Sequence, residues 1–291
     1  MDAALADLLV LLNLERLEVN MYRGTSRDIG SPQVFGGQVL GQALMAATGT
    51  VEDRIVHSLH AYFLRAGDFN LPIVYEVDRS RDGSHFSSRR VVAIQNGQQI
   101  FHMSASFQSP EEGLEHQTQM PDVPPPESLP ERSVLANSPL VSEQQRRFFS
   151  RVRPFDIRLV GMERLLSGLA MEPSLQVWFR ASDPLPDGES LHRGMLAYVS
   201  DFYLLMTATL PHGIPFPSKQ LRCASIDHAM WFHRPVRVDE WLLYSMDSPS
   251  ASGARGLSRG SIFSRDGRLV ASTAQEGLMR VMTERGKGGD G

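Results

Sequence analysis

The chain has 291 residues, of which 42% are apolar; that suits two domains of about 100–150 residues, each able to bury a core. Its formal net charge of −4 leaves no electrostatic footprint for nucleic-acid binding, although a few local arginines can still hold a small anion. One cysteine, Cys223, excludes an internal disulfide and a cysteine-built metal site, as expected in a reducing compartment.

Met1 to Asp7 carries two acids and no basic leader, unlike a secretory signal. Residues 5–18 alternate apolar and polar groups at helical spacing and predict a short amphipathic helix. Phe35, Val39, Leu40, Ala43, Leu44 and Ala47 predict a second helix over 35–48. Its start, Gly36-Gly37, suits close packing and leaves backbone N–H groups open to a ligand. Strand signals follow at Ile73-Val-Tyr-Glu-Val77 and Arg90-Val-Val-Ala-Ile94. The hairpin dipeptide Asn96-Gly97 then leads into Gln99 to Phe107. Seven prolines between Pro110 and Pro139, mixed with acids, mark a linker.

The second half repeats the plan. His192 to Leu210 reads as one apolar helix, interrupted by Asp201 and too short to span a bilayer. Ser225 to Trp231, Glu240 to Ser245 and Arg255 to Phe263 read as strands. Asp266-Gly267 then leads into a last strand, Arg268 to Gln275. Lys287 to Gly291 carries no targeting address, so a cytoplasmic protein is expected. By eye, Leu59-His60-Ala matches Asp227-His228-Ala, and Asn96-Gly97 matches Asp266-Gly267. One duplication at this spacing predicts two copies of a domain. The expected boundaries are 1–108 and 146–285, with a linker at 109–145 and a flexible tail at 286–291. Each copy would be a helix covered by an antiparallel sheet, an α+β arrangement.

Asp201 is the chemical outlier. A carboxylate in a helix apolar on every face is costly unless hydrogen-bonded, which fits a general base, a cap at a local break or a residue facing a subunit interface. Ser225 and Gln275, neutral polar residues in strands, carry little signal alone. The repeat places Ser225 opposite His57, Gln275 opposite Ala105, and Asp201 opposite the helix around Leu40. The second copy is thus the more polar, as one working and one supporting site would be.

Val34-Phe-Gly-Gly-Gln-Val-Leu-Gly-Gln42, Val56-His-Ser-Leu-His60, Tyr62-Phe-Leu-Arg65 and Ile226-Asp-His-Ala-Met-Trp-Phe-His-Arg-Pro235 resemble the acyl-CoA thioesterase II family of double-hotdog enzymes. The resemblance runs from about residue 8 to about residue 282. It implies a double hotdog, with two tandem repeats each wrapping a long helix in a curved antiparallel sheet. It implies catalytic Asp201, Ser225 and Gln275, with Ser225 where many bacterial members carry Thr, and His57 in a supporting place. The implied reaction is hydrolysis of fatty acyl-CoA by an activated water, with no cofactor, no metal and no covalent intermediate. It further implies a homodimer or homotetramer. The alternatives are a hotdog enoyl-CoA hydratase and a non-catalytic acyl-CoA binding protein. Arg65, Arg89 and Arg90 are candidates for the CoA phosphates.

Three motifs invite other readings. Gly256-Leu-Ser258-Arg-Gly260 fits the G-x-S-x-G elbow, but a strand and hairpin follow it and no histidine comes later. Asp227 and His228 are adjacent on a strand and face opposite ways, and the match with His60 favours a structural His228. Cys223 has no activating neighbour and reads as a small buried hydrophobe.

Overall fold

The computed structural model describes residues 1–282 apart from residues 32, 140, 152, 167 and 215–217. The predicted tail, 286–291, lies outside the described residues. The first half runs α1 (Ala3–Leu12), β1 (Glu15–Glu18), β2 (Met21–Gly24), α2 (Gly36–Thr48), β3 (Ile55–Phe63), β4 (Ile73–Asp82), β5 (Phe86–Gln95) and β6 (Gln98–Gln108). After two short helices, α3 (Arg132–Ala136) and α4 (Glu143–Phe149), come β7 (Phe155–Leu159), α5 (Met162–Leu166) and β8 (Ser174–Ala181). The rest is α6 (Glu189–Ser200), α7 (Leu204–Thr209), β9 (Leu221–Ser225), β10 (Asp227–Phe232), β11 (Leu242–Ser252), β12 (Arg255–Ser264) and β13 (Leu269–Val281).

All strand pairings are antiparallel, and the order is β1-β2-β4-β5-β6-β3-β10-β13-β12-β11-β8-β7, with β9 added on β13. The second half of that order mirrors the first. The two repeats join where β3 pairs with β10, His60 opposite Ala229, so one continuous sheet covers both helices. Alternate strand residues point inward: in β4, Ile73, Tyr75 and Val77 are buried while Glu76 and Asp78 are exposed.

The helices α2 and α6 pack against each other where Gly41 meets the Gly194 carbonyl; a Cβ on Gly41 would stand 3.1 Å from that oxygen. Counted from this crossing, Asp201 corresponds to Thr48 at the end of α2, and not to Leu40. The strand pairing shifts the correspondence of the two repeats by one residue. Leu59 is buried opposite Ala105, whereas His60 is exposed and lies on Trp231. His228 is fully buried beside Gln275. Leu59, and not His60, is therefore the counterpart of His228, since a one-residue slip exchanges the faces of a strand. Ala105 keeps its place opposite Gln275, and Ser225 moves from His57 to Val56.

Other sequence expectations also shift. The first helix stops at Leu12, and Glu15–Glu18 is an exposed edge strand. The stretch 192–210 is two helices, because Tyr203 takes a left-handed conformation at φ 66°. Ser225 to Trp231 is two strands parted at Ile226. The proline-rich segment packs on the outside of the second repeat. Met120, Val123 and Leu129 lie against Trp178, Trp241, Leu243 and Phe263, and Trp178 Nε1 donates to the Pro124 carbonyl at 3.0 Å.

Candidate active site at the seam of the repeats

Asp201 ends α6 and is its C-cap, not a mid-helix residue. The chain turns there without glycine or proline. Phe202 stacks on Phe35 at 4.8 Å and meets Tyr198 edge-on at 5.7 Å. Tyr203 then takes its left-handed conformation, which for a bulky side chain costs on the order of 1–3 kcal/mol and persists only where surrounding packing holds it.

The carboxylate faces the start of α2 in the other repeat. Gly37 N–H donates to Asp201 Oδ2 at 2.9 Å. An anion is disfavoured at the end of its own helix and favoured at the start of another, so α2 offsets what α6 costs. Both glycines of the Gly36-Gly37 pair are needed for the approach. A Cβ on Gly36 would sit 2.8 Å from Asp201 Oδ2, and one on Gly37 would sit 2.2 Å from the Tyr198 carbonyl oxygen. Gly37→Ala is therefore expected to lower stability by about 1–3 kcal/mol, as overpacking does, and to lose activity as α2 retreats from the carboxylate. Calorimetry and turnover measured together check this; a variant matching wild type in both would show that the contact is dispensable.

The other oxygen of the carboxylate meets the second repeat's strands. Gln275 on β13 brings Nε2 to 2.6 Å from Asp201 Oδ1, and Ser225, ending β9, brings Oγ to 3.4 Å from the same atom. Ser225 Oγ and Gln275 Nε2 are 3.2 Å apart. Gln275 is buried, and Ser225 is half-buried. Ser225 also lines a cavity of about 50 Å³ with Val34, Gly36, Phe63, Arg65 and Phe101. That space admits water-sized occupants.

The break at Ile226 explains how Ser225 reaches the carboxylate. Ile226 N–H donates to the Glu276 carbonyl, and Glu276 N–H donates to Asp227 Oδ1 at 2.6 Å. Asp227 and His228 face opposite ways, as expected of neighbours on a strand. His57 stands apart from the trio: its Nε2 meets Ser106 Oγ at 2.8 Å and its ring lies edge-on to Phe86. Burial, with Arg193 adding to it, lowers its pKa.

Arg89 is not free to hold a phosphate. It is buried and its guanidinium is spent on the Thr50 hydroxyl, Asp82 and three backbone carbonyls. Arg90 is exposed on β5, and Arg65 is exposed at the cavity. Ser258 of the Gly256 to Gly260 motif is fully buried in mid-strand opposite Gln275, where no elbow forms. Cys223 is half-buried, and burial pushes its thiol up to about 11, which keeps it inert. Among the described residues, no cluster of His, Cys, Asp and Glu could hold a metal ion. No described helix is long and apolar enough to cross a membrane.

Residues 144–278 match the family described as acyl-CoA thioesterase, and residues 24–108 match the acyl-CoA thioesterase N-terminal domain. The chain is 42% identical to acyl-CoA thioesterase 2 of Haemophilus influenzae over 96% of its own length and 99% of that protein's. It is 43% identical to human acyl-coenzyme A thioesterase 8, covering 93% of this chain and 88% of that one. Among solved structures, an acyl-CoA thioesterase II, TesB2, from Mycobacterium marinum is 46% identical with a TM-score of 0.78, covering 94% and 98% of the two chains. A hot dog fold protein of unknown function from Alicyclobacillus acidocaldarius shares the fold at 19% identity and a TM-score of 0.77, covering 97% and 100%. With that fold, these relatives and a carboxylate held between its repeats, the chain belongs to the acyl-CoA thioesterase family as a double hotdog.

Proposed function

We propose that the protein hydrolyses fatty acyl-CoA to free acid and coenzyme A through a water activated by Asp201 with Ser225 and Gln275. The observation that carries this is the convergence of one carboxylate, one hydroxyl and one amide beside the cavity, with Ser225 on its wall.

Asp201 Oδ1 is the base. Ser225 Oγ, standing 3.4 Å from it on the cavity wall, holds a water within reach. The water oxygen attacks the thioester carbonyl while its proton passes to Asp201. Collapse of the tetrahedral intermediate expels the CoA thiolate, a good leaving group because a thiol pKa is about 8.5. The proton held by Asp201 then returns to that sulfur. Gln275 serves by orienting. Its two N–H groups already face three acceptors, Asp201 Oδ1 at 2.6 Å and Ser225 Oγ and His228 Nδ1 at 3.2 Å each, so neither is left for an oxyanion.

The test is thiol release from acyl-CoAs of rising chain length. Release identifies the reaction and the preferred chain; none from any member overturns it. A hydratase pairs an aspartate with a histidine at the substrate. Here both nitrogens of His228 are engaged inside the core, which disfavours that reading. Turnover also separates the enzyme from a non-catalytic acyl-CoA binder.

Ser225→Thr keeps the hydroxyl and is expected to retain activity within a few-fold. Ser225→Ala removes it and is expected to cost about 10²-fold in kcat, on the scale of one lost positioning contact. Equal activity in the two variants would remove Ser225 from the site. We further propose a cytoplasmic location, which the lone Cys223 suits, and a homodimer or homotetramer, since among the described residues β1 and β7 end the sheet with one edge unpaired. Sedimentation showing monomer alone at micromolar concentration would overturn the assembly.

A further inference from the structure

His228 lies on the inner face of β10 with no exposed surface, and the chemistry above gives it no role. Both ring nitrogens are engaged. Nδ1 is 3.2 Å from Gln275 Nε2, and Nε2 is 3.0 Å from Ser200 Oγ. Ser200 Oγ in turn lies 2.9 Å from the Ala197 carbonyl.

Counting donors fixes every proton in this chain. The Ala197 carbonyl can only accept, so the Ser200 hydroxyl donates to it. Ser200 Oγ must then accept from His228, which places the imidazole proton on Nε2. Nδ1 is left bare and accepts from the Gln275 amide. The same amide nitrogen turns its other proton toward Asp201 Oδ1 at 2.6 Å, with Ser225 Oγ a longer second acceptor at 3.2 Å. An amide turned by 180° would set its oxygen against two acceptors, the carboxylate and the bare Nδ1.

We propose that His228 is a positioning residue: as the neutral Nε2–H imidazole, backed by Ser200, it locks the Gln275 amide with its nitrogen on Asp201. This rests on the hydrolytic reading of Asp201 and Gln275. Two observations support it independently. Burial drives the His228 pKa down to about 4, against the opposing pull of Asp201, so the ring stays neutral near pH 7. In the first repeat the same ladder position is Leu59, opposite the apolar Ala105. A histidine needed for packing alone would have no reason to appear where the amide appears and to be absent where it is absent.

The test uses two variants in the full chain. His228→Leu removes the acceptor at similar bulk. His228→Asn keeps an acceptor oxygen at the Nδ1 position. His228→Leu is expected to lower kcat about 10–100-fold with KM nearly unchanged, the scale of a misplaced catalytic group. His228→Asn is expected to recover most of that loss. In a Gln275→Leu background, His228→Leu should cost less than about two-fold more, because residues acting through one another are not additive. Equal losses in His228→Leu and His228→Asn, or a full loss retained in the Gln275→Leu background, would overturn the proposal.

A readout without substrate separates this from the thioesterase reading. Nitrogen-15 spectra of labelled protein should show His228 as the neutral Nε2–H tautomer from pH 6 to 8, assigned by its disappearance in His228→Asn. An imidazolium or an Nδ1–H tautomer would overturn the positioning role even if thiol release is normal. If the tautomer is as expected and no acyl-CoA is cleaved, the clamp stands and the substrate is wrong.

Discussion

Asp201→Asn is expected to lower kcat by about 10²–10⁴-fold, the range for loss of a positioned general base, with KM changed little. Asn has the same size, so no cavity forms. Its oxygen can still accept from Gly37 N–H at the place of Oδ2. Its NH2 group must then face Gln275 Nε2 across the 2.6 Å gap that joined donor to acceptor. Two donors cannot share that distance, so the variant loses the base and also disturbs the amide. Thiol release and thermal unfolding, measured on the same preparation, check both halves of the expectation. An unchanged Tm with near wild-type kcat would remove Asp201 as the base.

The second large effect is at Gln275. Gln275→Leu leaves the Asp201 Oδ1 atom and the His228 Nδ1 atom without their donor. It is expected to cost about 10²–10³-fold in kcat, as removal of one preorganised donor does. Gln275→Glu is more informative because it keeps the shape. Its carboxyl would stand against Asp201, where Gln275 Nε2 now lies at 2.6 Å. Two carboxyl groups that close share one proton, and the second ionisation is opposed by like charge. At low pH the shared proton keeps the donor role of the amide. As pH rises and that proton is lost, the two anions repel and the geometry opens. The activity of Gln275→Glu, relative to wild type, is thus expected to fall as pH rises between about 5 and 8. A ratio of the two kcat values that is flat over this interval would mean that the Gln275 nitrogen does not face Asp201 during turnover.

Much of this protein is written in its sequence. The alternation of Ile73, Tyr75 and Val77, the two hairpin dipeptides and the duplicated order of elements are local patterns. Local backbone chemistry specifies them, so they can be read without knowing what packs where. Asp201 is legible for a related reason: a carboxylate among Met195, Leu196, Tyr198 and Val199 violates a local pattern, and a violation shows in one dimension.

What the tertiary structure alone decided is where those groups meet. No glycine or proline marks the helix break at Tyr203, because the break is held by Phe35 stacking on Phe202 and by Gly37 drawing Asp201 across the seam. Nor does the sequence state the register of the repeats. His60 and His228 look alike in a string of letters, yet one is exposed beside Trp231 and the other lies buried on Gln275. A single residue of slip reverses a strand's faces, and the burial that chooses between the two registers exists only once the sheet has closed over α2 and α6.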